Sequence, residues 1–442
     1  MRYRWRDLAS VLMSRQGRKS LRAGQLARFW PLIRIFTTVC RRTVLRKVRV
    51  VAVIGSLGKT TTARAVAAAI GHRDPDGVSN SRNALALDLL NHSPWSRHAV
   101  LEVGINGPGF MKEPASMLNP DIVVVTSIAS EHIFSFGSLE NTRDEKAEML
   151  RGLSPEKTAI LNADDPNVMW MAGQTAAGIV TCGFSDAADV RAGNFEILPP
   201  DGMGFLIEAE GQSWPIRISI PGRHMVFPVL AAVAVALIEK MDMSETCRAL
   251  ERIQPQEGRM QTVKLPSGAV LIRDDFKSNK ESILAALETL KEYPAERKTL
   301  ILGGVSEIQN SERYEFYREL GGKIASSADL AFLFLQKNSF RRCRNEAVEA
   351  GMDPENIARV NDDPLAALPL LPSDLGEGDV ILVKGRTEHR MARLSLHLMG
   401  RDVKCCRLTG CHLAVDCGDC ELLEQLTAYS PLLDPNLKQD RG

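Results

Sequence analysis

The chain has almost no net charge: 55 Lys and Arg oppose 54 Asp and Glu over 442 residues, a formal balance of +1 at pH 7. No global field therefore points to nucleic acid. Long apolar runs are also missing. The most apolar piece near the start, residues 29–40, is interrupted by Arg34 and falls short of the ~20 residues a spanning helix needs. The basic start is followed by neither a long apolar core nor a small-residue cleavage site, which leaves no convincing signal peptide. No internal repeat or low-complexity segment is evident. Acids are scarce in one region, because residues 1–49 hold Asp7 alone against 14 Lys and Arg.

What is present reads as globular, with 44% hydrophobic and 25% charged residues in a chain long enough for two or three domains. In the basic leader, Trp5, Leu8, Val11, Leu12, Leu21, Leu26, Phe29, Trp30, Ile33 and Phe36 are interleaved with arginines. That pattern suits amphipathic helices resting on an anionic membrane through residues 1–45, and equally a basic arm packed on the body. Nine cysteines in a long chain without a signal read as reduced thiols of a cytoplasmic protein. Five of them crowd the tail beside His412. Cys406, Cys411, Cys417 and Cys420 have the spacing C-x4-C-x5-C-x2-C, which suits structural Zn²⁺, with free thiols as the alternative.

Residues Val51-Ala-Val-Ile-Gly-Ser-Leu-Gly-Lys-Thr-Thr-Thr62 carry the strongest chemical signal. An apolar strand enters a turn with Gly55 and Gly58, and a helix follows with its positive end toward the turn. Backbone amides there, with Thr61, can cradle phosphate, Lys59 can reach a terminal phosphate, and Thr60 can reach Mg²⁺. The motif is GxxGKT rather than the full P-loop spacing, since position 53 is Val53.

Apolar runs of strand length alternate with helical patterns from 49 to about 252, and again after a hinge at Gln254-Pro-Gln-Glu-Gly258. The expected class is α/β. A basic helical leader (1–48) precedes a P-loop-containing central parallel-sheet domain (49–253). A smaller Rossmann-like, doubly wound C-terminal domain (254–402) and a Cys-rich tail (403–442) follow. Glu102 ends one strand of the central sheet and His132 follows another, so both fall on the edge that carries the phosphate loop. A carboxylate and an imidazole placed there are suitable Mg²⁺ ligands.

Gly55-Ser-Leu-Gly-Lys-Thr-Thr-Thr62, Leu101-Glu-Val-Gly104, Thr126-Ser-Ile-Ala-Ser-Glu-His132, Phe136-Gly-Ser-Leu139, Leu161-Asn-Ala-Asp-Asp-Pro166, Gly222-Arg-His224 and Gly258-Arg259 occur in an order and spacing that resemble the Mur ligases. The resemblance covers roughly 48–399 and is nearest to the D-alanyl-D-alanine-adding branch. It implies ATP-dependent amide formation, in which a substrate carboxylate attacks the γ-phosphate and an amine displaces phosphate from the acyl phosphate. It also implies roles. Lys59 would hold terminal phosphates, and Thr60 and Glu102 the first Mg²⁺. His132 would hold a second, with Lys146 carbamylated to support it. Asn162 would hold adenine, Arg259 the γ-phosphate and Asp275 the ribose. Lys277 would swing onto the phosphate when the C-terminal domain closes.

The chain departs from that pattern in four places: the leader stands where the family has a UDP-sugar-binding domain, Met225 and Pro228 replace asparagines, Arg82-Asn83 replaces a pair of asparagines, and the tail is Cys-rich. Arg82 is expected to meet an added anionic group. The sequence thus reads as an ATP- and Mg²⁺-dependent ligase that joins an amino acid or dipeptide to an acidic acceptor, cytoplasmic and peripheral at the inner face of the membrane. Three alternatives stand beside this reading. They are a ligase of a non-peptidoglycan peptide or polyamide pathway, an amidating ligase with a glutaminase-type partner, and a membrane-associated nucleotide-binding scaffold without ligase activity.

Overall fold

In a computed structural model of the chain, residues 29–72, 82–361, 363–404, 417–420 and 423–424 are described. Helix α1 (Trp30–Arg42) comes first. An eight-stranded sheet follows, built from β1 (Arg49–Ile54), β2 (His98–Glu102), β3 (Ile122–Val125), β4 (Thr158–Asn162), β5 (Gly178–Gly183), β6 (Val190–Leu198), β7 (Gly202–Ala209) and β8 (Gln212–Ile218), in the order β2-β1-β3-β4-β5-β6-β7-β8. The strands from β2 to β6 pair in parallel, and β6, β7 and β8 form an antiparallel meander. Val and Ile fill β1 and β3 because helices cover both faces of a parallel sheet. Those helices include α2 (Lys59–Ala69), α3 (Arg82–Leu90), α4 (Lys112–Leu118), α5 (Leu139–Arg151), α6 (Val226–Ile238) and α7 (Met243–Glu251). Apolar around most of its circumference, α6 is buried from Val229 to Ala236 and packs on α2.

The chain steps from β1 to β2 on one side and then to β3 on the other. That reversal makes the carboxyl end of β1 a switch point, where open α/β sheets bind ligands.

The second sheet comprises β9 (Gln261–Lys264), β10 (Val270–Asp274), β11 (Arg297–Leu302), β12 (Leu330–Leu333), β13 (Ile357–Arg359) and β14 (Asp379–Lys384), ordered β13-β12-β11-β14-β10-β9. Only β9 runs antiparallel. With α8 (Lys280–Glu292), α9 (Arg313–Ala325), α10 (Lys337–Glu349) and α11 (Ala392–Leu398), it is the expected Rossmann-like second layer. One apolar cluster joins α2 and α6 to Ile272, Ile283, Leu287, Leu302 and Leu333 of the second sheet and its helices.

Helix α1 is anchored by its inner face. Arg41 is buried and donates to the carbonyls of Leu118 (2.8 Å), Leu45 (2.9 Å) and Asn119 (3.0 Å) and to the Asp121 carboxylate (2.9 Å). The helix lies against α3 and α4. The leader before residue 29 is outside the described residues.

Candidate active site

Gly55 and Gly58 let the chain turn sharply between β1 and α2. Gly55 has φ +137°, and a Cβ there would sit 2.0 Å from Thr126 Oγ1; Gly58 has φ +78°. Such backbone favours glycine. The turn is locked to the end of β3: Ser56 N donates to the Ser127 carbonyl (2.7 Å), Leu57 N to Ser127 Oγ (3.1 Å), and Thr126 Oγ1 to the Leu57 carbonyl (2.6 Å). Lys59 and Thr60, the first two residues of α2, are both buried.

Three lysines converge on one carboxylate. Glu131 accepts from Lys59 Nζ at 3.0 Å and contacts Lys277 Nζ from the second sheet unit, with Lys146 close enough to act on it electrostatically. Burial would raise the Glu131 carboxyl, but the lysines outweigh it and hold the group far below the usual carboxylate range. Lys277 is lowered by burial, then by Lys59 and Arg259, against the pull of Glu131. Lys146 Nζ projects from α5, is fully enclosed and donates to the Gly55 carbonyl at 2.8 Å. Burial, and then Lys59, push its ammonium down to about 7.

His132 has a left-handed backbone, φ +61°. Its amide donates to Glu307 Oε2 at 2.5 Å, and its Nδ1 lies 3.7 Å from Glu307 Oε1. Burial lowers the imidazole, so the neutral form that offers a lone pair to a metal is favoured. Glu102 is buried at the end of β2, level with Val53 of β1, and among the described residues its carboxylate has no hydrogen-bond or ionic partner. A buried unpartnered carboxylate and the Thr60 hydroxyl are oxygen donors of the kind Mg²⁺ takes, and a neutral imidazole can add a nitrogen.

The groups expected to hold the nucleoside are engaged within the protein. Asn162 Nδ2 donates to the Thr126 carbonyl (2.9 Å) and its Oδ1 accepts from Asp164 N (3.0 Å). Asp275 is buried, accepting from Arg273 Nε (2.9 Å) and Ser395 Oγ (2.7 Å). Arg259 stacks over the Phe276 ring at 4.2 Å. Arg82 pairs with Glu113 and lies over the rings of Phe110 (4.4 Å) and Trp30 (5.6 Å). In the tail, Cys417 opens a single turn and Cys420 follows it, its amide donating to the Cys417 carbonyl (3.3 Å), while Cys406 and Cys411 lie outside the described residues. Among the described residues no group of three or more His, Cys, Asp or Glu could hold a metal ion.

Glu131 stands inside the Thr126–His132 motif, which assigns it no role, and the acids that face the same loop carry no mark in the sequence. Ser130 donates to Glu281 from its amide (3.1 Å) and its hydroxyl (2.7 Å), and Gln309 Nε2 donates to the Gly137 carbonyl (2.9 Å). With Glu131–Lys277 and His132–Glu307, these contacts make residues 130–137 the seam between the two sheet units. An acid directly before a candidate histidine was the available signal for Glu131. Glu281 and Glu307 had none, since their partners are 151 and 175 residues away.

Residues 53–236 match the Mur ligase middle domain, and residues 258–387 match the Mur ligase glutamate ligase domain. Both matches coincide with the sheets described above, one holding the glycine-turned phosphate loop, so the chain belongs to the Mur ligase family of ATP-dependent, ADP-forming ligases. Within that family it is similar to the UDP-N-acetylmuramoyl-tripeptide–D-alanyl-D-alanine ligase of Mycobacterium tuberculosis, with 27% identity over 377 residues, 80% of this chain and 73% of that protein. Two solved structures share the fold. MurF from Acinetobacter baumannii has a TM-score of 0.72 at 22% identity, over 84% of this chain and 80% of that one. MurF from Thermotoga maritima in complex with ADP has a TM-score of 0.67 at 19% identity, over 83% of each.

Proposed function

We propose that the chain forms an amide between an acidic acceptor of the cell-wall precursor type and an incoming amine of the D-alanyl-D-alanine type, at the expense of ATP. One observation carries this reading most directly. Lys59 from the phosphate loop and Lys277 from the second unit meet at a single point occupied by an anion, the Glu131 carboxylate. A transferring phosphoryl group needs such a convergence of cations around its oxygens.

In this reading Lys59 holds terminal phosphate, and Lys277 and Arg259 supply positive charge from the other side of the seam. The enclosed position of the cluster keeps water from the acyl phosphate. Thr60, Glu102 and His132 would hold Mg²⁺, with Lys146 as a carbamate beside them; the metal supplies neutralisation of phosphate charge. Asn162 and Asp275 would have to exchange internal partners for adenine and ribose.

The test is a phosphate-release screen of acidic acceptors against amino acids, dipeptides and ammonia, with the product identified by mass spectrometry. A dipeptide adduct on a muramoyl-peptide acceptor supports the reading. Release driven by ammonia would favour amidation with a glutaminase-type partner, and an adduct on another acceptor would favour a different polyamide pathway. Lys59→Ala and His132→Ala should each abolish release while leaving the fold intact by circular dichroism. Substrate-stimulated release at the wild-type rate in both variants overturns the assignment. For the tail, we infer Zn²⁺ on Cys406, Cys411, Cys417 and Cys420 from the cysteine spacing alone; folded protein free of zinc, with titratable thiols, would refute it.

A further inference from the structure

Helix α1 is finished on its inner face and bare on its outer one. Thr37 and Arg41 point inward, and Trp30 Nε1 donates to Glu113 at 3.2 Å. On the opposite side Leu32, Ile35, Phe36 and Val39 stand at 67%, 57%, 60% and 53% exposure. Their spacing of i, i+3, i+4 and i+7 makes one continuous stripe. Phe29, 58% exposed, extends it at the start, and Val44, 55% exposed, lies just past the end of the helix. A contiguous patch of this kind on one helix marks an interaction surface rather than scattered surface apolarity.

Charge selects among the occupants. Arg42, which flanks the stripe, is exposed, as are Arg46 and Lys47 just beyond the helix. No acid occurs anywhere between positions 8 and 73, while residues 8–49 hold 11 Lys and Arg. A second copy of the chain would bring an identical cationic rim against this one. The leader before residue 29 is itself basic. An anionic lipid surface complements both features, the apolar stripe by shallow insertion and the rim by attraction to headgroups. No described helix is long and apolar enough to cross a membrane, so contact through α1 would be interfacial.

We propose that the outer face of α1 docks the protein on an anionic lipid bilayer, with Leu32, Ile35, Phe36 and Val39 in the interface and Arg42, Arg46 and Lys47 on the headgroups. This docking is independent of which acceptor the ligase uses. It also sets an orientation, because the inner face of the same helix is bolted to Leu118, Asn119 and Asp121 at one end of β3. The phosphate loop and the seam lie at the other end of that strand. The catalytic edge would therefore face away from the point of attachment.

The test is co-sedimentation of the full chain with vesicles of phosphatidylcholine alone and of phosphatidylcholine mixed with phosphatidylglycerol, at low and high salt. Wild-type protein should bind the anionic vesicles, bind the neutral ones at least tenfold more weakly, and lose binding as salt rises. Leu32→Glu with Phe36→Glu should reduce binding at least tenfold, Leu32→Ala with Phe36→Ala should reduce it less, and both should melt like wild type because the positions are exposed. Failure of the wild type to bind anionic vesicles overturns the proposal. So does undiminished binding of the Glu variant, which would move the contact elsewhere in the leader. A dimer in light scattering without lipid, broken by the Glu pair, would assign the face to self-association instead.

Discussion

At the scale of single residues, Glu131 and Lys146 invite the sharpest tests. Glu131 satisfies cations that the proposed reaction needs for phosphate, so it competes with the nucleotide for Lys59 and Lys277. Glu131→Gln should remove that competition. Affinity for a non-hydrolysable ATP analogue, measured by calorimetry, is expected to rise about tenfold, or ~1.4 kcal/mol. An unchanged or weaker affinity would show that Glu131 organises the site rather than guarding it.

Lys146 sets a pH dependence. Its folded-state ammonium is lowered from 10.5 to about 7, so as pH rises through about 7 the buried amine becomes neutral, the form that reacts with CO₂. Activity should climb between pH 6 and 8 and fall when bicarbonate is stripped. Lys146→Arg, which stays charged, should cost roughly 10- to 100-fold. The same shift has a stability consequence of definite sign. Between about 7 and 10.5 the unfolded chain holds a proton that the folded one has released, so this residue's contribution to stability increases with pH across that window. An acid-shifted rather than alkali-shifted activity profile would contradict the assignment.

At the scale of elements, the phosphate loop is the least forgiving segment. Gly55→Ala places a methyl 2.0 Å from Thr126 Oγ1 at φ +137°, which the tie between the loop and β3 leaves little room to relieve. A loss of about 2–4 kcal/mol in chemical denaturation is expected, together with loss of nucleotide binding. Elements were legible in the sequence wherever the apolar pattern was long. β4, β14 and α6 coincide with apolar runs in the sequence, because burial on both faces writes itself as a continuous run of Val, Ile, Leu and Ala. Strand β9, an antiparallel edge of four half-exposed or exposed residues, and β13, three residues long, were not legible. Neither buries enough to impose a period. The candidate site divides similarly. Gly55, Lys59, Glu102 and His132 lie in short contiguous motifs, whereas the Glu131 pairs span 72 and 146 residues and exist only once both sheets are folded.

At the scale of the whole molecule, the two sheet units meet through chemistry of two kinds. The rim of their contact is polar, with the partly exposed Glu131–Lys277 ion pair, which salt weakens, beside hydrogen bonds to Glu281 and Glu307. Behind the rim, Gly222 brings the first unit against α8 so closely that a Cβ would fall 2.4 Å from Thr289 Oγ1. The apolar cluster that joins α2 and α6 to Ile272, Ile283 and Leu287 runs through this contact without a break. Shared burial of that kind couples melting. Scanning calorimetry should therefore give one heat-absorption peak whose van 't Hoff and calorimetric enthalpies agree, and two resolved peaks would show that the units melt independently. A core cluster shared between the units means that truncating either one strips apolar cover from the other, so neither half is expected to survive as a soluble fragment.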